Sequence, residues 1–170
     1  MEILGIGTDI VECPRIGRMI EQHGELFLRR VFTEREIRYC QARKHAIEHF
    51  AGRWAAKEAI LKAIGNGWAR GVSWTDLEVR PSLSGAPKVH VCGGVKEAAL
   101  RRGIGDILLS ISHCRTYATA YAMAVGPSAT GRRRANEAGG PSEAPDASDR
   151  AEPDIPDEPP DRGPETAGDD

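Results

Sequence analysis

The sequence predicts an α+β fold, one compact domain in which a small antiparallel or mixed sheet packs against a long central helix. Three observations lead there. Strand-like and helix-like segments interleave without the regular strand–helix–strand alternation of a parallel sheet. One long helical run, centred on "FAGRWAAKEAILKAIG" at residues 50–65, dominates the middle of the chain. The pattern stops at Gly126-Pro127, and eight of the eleven prolines lie from there onward, in a stretch with no aromatic residue. The expected organisation is therefore a domain at 1–126 and a disordered, acidic, Pro-rich tail at 127–170.

The elements follow in order. "EILGIGTDIVE" is rich in β-branched residues and reads as a strand ended by Cys13-Pro14. Pro14 suits the first turn of a helix through "RIGRMIEQ", closed by "HG". A second helical piece, "ELFLRRVF", leads to Thr33, which with Glu36 matches a capping box and starts a new helix. The central helix spans about 46–64 and ends at "GNG". "DLEVR", "PKVHV", "DILLSISH" and "YATAYAMAV" read as strands, with "GVKEAALRRG" a short helix before the third.

Charge divides at the same boundary. Residues 1–125 carry a net of +5 and the remainder a net of −7, so the near-neutral total joins a basic domain to an acidic appendage. The bland expectation for the tail is a solvated extension; the sharper one places it on the basic surface of its own domain. The four cysteines show no CxxC spacing and no apolar run approaches the ~20 residues of a membrane span. The expected setting is a reducing cytoplasm, without secretion signal or structural zinc.

Two carboxylates carry the chemical signal. At about 100° per residue, Ile47, Phe50, Ala51, Trp54 and Leu61 share one arc of the central helix, and Glu58 projects near its centre. An ionised carboxylate buried alone costs several kcal/mol, so Glu58 must be protonated, paired or bound to a metal. Asp9 sits in an otherwise apolar strand. Alone it reads equally as a turn residue; with Glu58 it points to a hard divalent cation such as Mg²⁺. Lys57 and Lys62 flank Glu58, with Arg53 one turn before Lys57, as a pyrophosphate substrate would require. The bland alternative is an ordinary surface pair of Glu58 and Lys62. "SISH" offers Ser112 and His113 at a strand end, for phosphate binding or simply as a satisfied histidine. "GIGTDI" lacks the third glycine of a dinucleotide fingerprint, and no G-x-S-x-G elbow supports a serine hydrolase.

Taken together, "GIGTDIVE", "FAGRWAAKEAILKAIGNG" and "SISH" followed by "YATAYA" resemble the holo-acyl-carrier-protein synthase family, the short 4′-phosphopantetheinyl transferases. The resemblance runs from about residue 3 to residue 125. It implies transfer of 4′-phosphopantetheine from coenzyme A to a serine of apo acyl carrier protein, releasing adenosine 3′,5′-bisphosphate. It implies Mg²⁺ as cofactor with Asp9 and Glu58 as ligands, Lys62 beside the reacting phosphates, and Glu58 as the preferred base. It further implies that Arg53, Lys57, Lys62 and His113 meet coenzyme A, His113 at the 3′-phosphate. Arg15, and Arg18 three residues on, are expected to dock the acidic carrier protein. A homotrimer with sites between subunits is implied, and neither nucleic acid nor membrane is an expected partner. Cys114 stands where the family commonly has a small polar residue. The rival readings are a non-catalytic carrier- or coenzyme A-binding module and a metal-dependent phosphohydrolase.

Overall fold

A computed structural model describes residues 2–65 and 71–127; the expected tail beyond Pro127 lies outside the described residues, as does most of "GNG". The elements are β1 (Ile3–Glu12), α1 (Cys13–Val31), α2 (Glu34–Gln41), α3 (Ala46–Ile64), a 3₁₀ turn (Trp74–Asp76), β2 (Leu77–Pro81), β3 (Pro87–Val91), α4 (Gly93–Arg101), β4 (Asp106–His113) and β5 (Tyr117–Val125). A three-stranded antiparallel sheet has the order β1-β5-β4, and β2 and β3 form a separate antiparallel hairpin. The fold is α+β, as the sequence predicts, and both sheets are antiparallel.

α3 lies across the larger sheet unusually closely, and the sequence explains why. Gly5 and Gly7 face it from β1: a Cβ at either would stand 2.0 Å from the carbonyl oxygen of Ala63 or Ala59. β5 supplies Ala118, Ala120, Ala122 and Ala124 to the same face, each at most 1 % exposed. Small residues on both sides let backbone approach backbone. The two glycines of "GIGTDI" therefore serve helix packing, a role the sequence pattern alone did not suggest.

On its other sides α3 meets α1, α2 and β2. Ala55, Ala56, Ile60 and Ile64 are buried, while Trp54, Glu58 and Lys62, four residues apart, stay at least partly open. This corrects the expected orientation. The arc through Trp54 and Glu58 is the helix's window to solvent rather than its core face, and Ile47 on it is 43 % exposed. α3 is buried nearly all round, so an apolar arc does not single out its core face.

α1 is bent where "HG" suggests a stop: Gly24 has φ 50°, and two helical pieces meet there. The capping box at the start of α2 is present in both its bonds, with the Glu36 carboxylate accepting from the Thr33 N–H at 2.9 Å.

Glu36 does more than cap. Its carboxylate is fully buried, pairs with Lys57 Nζ at 2.7 Å, and accepts from the Val79 N–H at 2.9 Å. Lys57 Nζ also donates to the carbonyls of Val31 at 2.7 Å and Trp74 at 3.0 Å. One ion pair thereby ties the end of α1, the start of α2, α3, the 3₁₀ turn and β2. Lys57 is 0 % exposed. The expectation that it faces coenzyme A phosphates is corrected: on a helix buried on both flanks, its position points into the core. Burial holds the Lys57 ammonium below its usual range, and Glu36 acts in the opposite direction.

Candidate active site

The first functional cluster forms where β1 passes the C-terminal half of α3. Asp9 is on the helix-facing side of β1, and its backbone carbonyl accepts from the Thr119 hydroxyl of β5 at 2.9 Å. Lys62 reaches across from α3 and donates to Asp9 Oδ1 at 2.7 Å and to the Thr8 carbonyl at 3.0 Å. Glu58 stands one helical turn before Lys62 and is half-buried. Burial pushes its carboxyl up, the Asp9 carboxylate adds to that, and Lys62 opposes both. The structure thus brings Asp9, Glu58 and Lys62 together, and Lys62 pairs with Asp9 across elements.

The donor set can be tested against Mg²⁺. Among the described residues no three His, Cys, Asp or Glu side chains gather as a closed metal site. Two carboxylates within mutual electrostatic reach suit a cation that keeps water and substrate phosphate in its shell, as Mg²⁺ does. The Lys62 ammonium on Asp9 shows that a positive charge is stabilised at this position. The residues fit Mg²⁺.

The second cluster lies toward the N-terminal half of α3, around a cavity of about 180 Å³. Its walls include Tyr39 of α2, His49 and Arg53 of α3, Arg80 and Pro87 of the hairpin, and His113 at the end of β4. Arg53 is 6 % exposed, and among the described residues its Nε has no hydrogen-bond partner. Its guanidinium lies 3.9 Å from the centroid of the Tyr39 ring. His113 stacks edge-on against His49 at 5.0 Å, and its Nδ1 is 3.5 Å from the Glu48 carboxylate. A buried guanidinium with an unused donor beside an imidazole is an arrangement suited to receive an anion.

Of the other expected site residues, Arg15 and Arg18 are exposed on α1, away from the packed face that holds Ile16 and Gly17. Cys114 is exposed in the turn after β4, where backbone hydrogen bonds from Tyr117 and Thr116 lower its thiol pKa. Tyr39, Glu48, His49 and Arg80 were not anticipated. They come from three separated segments, and nothing in their local spacing announces that these meet.

A pair of carboxylates with a lysine, joined by one helix to an anion pocket, defines a protein that handles a phosphorylated ligand. The chain belongs to the 4′-phosphopantetheinyl transferase superfamily, whose description matches residues 5–124. It is 47 % identical over 123 residues to the holo-(acyl-carrier-protein) synthase of Rhodopirellula baltica, covering 72 % of this chain and 98 % of the relative. The crystal structure of the Neisseria meningitidis synthase matches with TM-score 0.67 at 31 % identity, covering 72 % of this chain and 98 % of that one. The Helicobacter pylori synthase, solved in complex with coenzyme A, matches with TM-score 0.63 at 30 % identity, covering 71 % and 99 %.

Proposed function

We propose that this chain is a Mg²⁺-dependent holo-acyl-carrier-protein synthase, which moves 4′-phosphopantetheine from coenzyme A to a serine of apo acyl carrier protein. The observation that carries the site assignment is the layout of α3. Arg53 and Glu58 are five residues apart, about 7–8 Å along the axis and about 140° around it, so the helix carries two separate anion-facing sites, Glu58 with Asp9 and Lys62 at one and Arg53 with His113 at the other. Arg53 and His113 bind the nucleotide end. Asp9 and Glu58 would hold the cation, which when bound would offset charge on the pyrophosphate. Lys62 faces the same phosphates and stabilises charge that develops on the bridging oxygen. The serine oxygen attacks the phosphorus beside the pantetheine arm, the P–O–P bond breaks, and adenosine 3′,5′-bisphosphate leaves. Glu58, beside the reacting phosphates, is the residue placed to receive the serine proton.

Arg15 and Arg18 on the exposed side of α1 are the docking surface for the acidic carrier. Replacing Arg15 by Ala is expected to raise KM for carrier about 5- to 10-fold, about 1–1.4 kcal/mol, and to leave KM for coenzyme A unchanged. The effect should shrink as salt rises, because exposed charges are screened beyond about 8–10 Å. Steady-state kinetics at two salt concentrations checks this; equal changes in both constants would remove the docking role.

The chain works as a homotrimer in the cytoplasm. The outer face of the larger sheet supports self-association: Ile6 is 65 %, Ile10 68 % and Tyr121 60 % exposed, on neighbouring strands. Exposed apolar side chains clustered on one sheet face mark a surface suited to a subunit contact. The nucleotide cavity of one protomer, about 180 Å³, is also smaller than the roughly 300–1,000 Å³ of a complete ligand site, which supports a site completed by a neighbour. Light scattering on the purified protein should give three protomer masses; a single protomer mass at working concentration would refute the assembly. The four free cysteines fit a reducing compartment, and among the described residues no helix is long and apolar enough to cross a membrane.

A further inference from the structure

We propose that Tyr39 is a positioning residue for the nucleotide end of coenzyme A: its ring holds the Arg53 guanidinium in place as the receptor for a phosphate monoester. The inference rests on the reading of the Arg53–His113 cavity as the nucleotide subsite. Three groups converge on the Tyr39 ring from the α2–α3 connection and α3. Arg53 lies 3.9 Å from its centroid, Arg43 lies 4.5 Å from it, and His49 stands edge-on at 5.9 Å. Tyr39 itself lines the cavity, together with Arg53, His49 and His113.

How Arg53 is held decides what it can bind. A buried guanidinium needs a compensating partner, and a carboxylate would supply one while neutralising it. An aromatic face steadies the cation through its quadrupole and leaves the net charge and the N–H donors free. Arg53, with its Nε unpartnered among the described residues, is held in the second manner. Among the described residues no carboxylate pairs with Arg53; Glu48 of α3, which faces this cluster, contacts His45 at 3.9 Å and His113 at 3.5 Å. The Arg53 charge is therefore left uncompensated for a dianionic group, and the 3′-phosphate distinguishes coenzyme A from dephospho-coenzyme A.

The test compares these two substrates in the full-length enzyme with Mg²⁺ and apo carrier. Replacing Tyr39 by Leu is expected to raise KM for coenzyme A about 3- to 30-fold, the range set by a desolvated cation–π contact. KM for dephospho-coenzyme A and kcat should stay within about twofold, so the preference for the 3′-phosphate collapses. Tyr39→Phe should retain the preference, because the ring face remains. Pentafluorophenylalanine at this position, which keeps the shape and reverses the ring's charge distribution, should lose it even where the leucine variant folds poorly. Unchanged discrimination in the fluorinated variant, or equal KM increases for both substrates, would overturn the proposal. Arg53→Ala separates the two levels of inference. If it raises KM for coenzyme A while the Tyr39 variants do not, the positioning role alone falls; if it has no effect, the reading of the cavity falls.

Discussion

Glu58→Gln and Asp9→Asn should each lower kcat/KM for phosphopantetheine transfer by at least about 100-fold, a loss of about 2.7 kcal/mol of transition-state stabilisation. Each change keeps the side chain's shape and removes one negative charge from the cluster proposed to hold a cation beside pyrophosphate. Their effects on stability should be small and of opposite sign. Asp9→Asn weakens the 2.7 Å contact with Lys62, whose side chain is 50 % exposed, a pair of the class worth about 0–1 kcal/mol. Glu58 differs, because burial and the neighbouring Asp9 push its carboxyl up in the folded protein. A raised carboxylate pKa means that ionising the group works against folding once the pH exceeds its unfolded value. Glu58→Gln should therefore leave thermal stability at neutral pH unchanged or raise it, while activity collapses. Transfer assays and thermal melts on the same preparations check both parts. Near wild-type transfer by either variant at ordinary Mg²⁺ would refute the assignment.

Lys57→Met should be the most destabilising single change considered, costing about 3–5 kcal/mol. Among the described residues, the substitution leaves the Glu36 carboxylate buried with two N–H donors, from Thr33 and Val79, and takes the Lys57 donor from the carbonyls of Val31 and Trp74, the latter keeping the Leu77 N–H. Against a typical domain stability of about 5–15 kcal/mol, that corresponds to a fall in Tm on the order of 10–20 °C. Glu36→Gln placed in the same background should recover part of the loss, because it removes the stranded charge and preserves acceptance from one or both N–H groups. Differential scanning calorimetry of the three variants measures the coupling. A stable Lys57→Met protein with a raised KM for coenzyme A would show instead that Lys57 faces the substrate.

The contrast between Lys57 and Glu58 shows what the sequence could and could not reveal. Element positions were legible where local chemistry decides them: the capping box at Thr33 and Glu36, the end of α3 at Gly65, the alternation of β5. The pairing of Asp9 with Glu58 was legible because two carboxylates in apolar segments require a common explanation. The direction in which each side of α3 points was not. The helix is packed against the sheet on one side and against α1, α2 and β2 on the other, and its open strip is defined by what fails to cover it. Lys57 looked like one more cation beside Glu58, and Glu36 looked fully explained by its cap. Their meeting depends on a contact across 21 residues that local spacing does not encode. The cavity around Arg53 was partly legible through Arg53 and His113, whereas Tyr39 and Glu48 acquire meaning only from the fold that brings α2, α3 and β4 together.

The most direct test of the account is the intact mass of an apo acyl carrier protein after incubation with this enzyme, coenzyme A and Mg²⁺, with a chelator in the parallel sample. A phosphopantetheine adduct on one serine and stoichiometric release of adenosine 3′,5′-bisphosphate are expected, with neither product when the cation is removed. Adenosine bisphosphate released without an adduct would make the protein a phosphohydrolase, and coenzyme A bound with neither product would make it a binding module; either result would contradict the account.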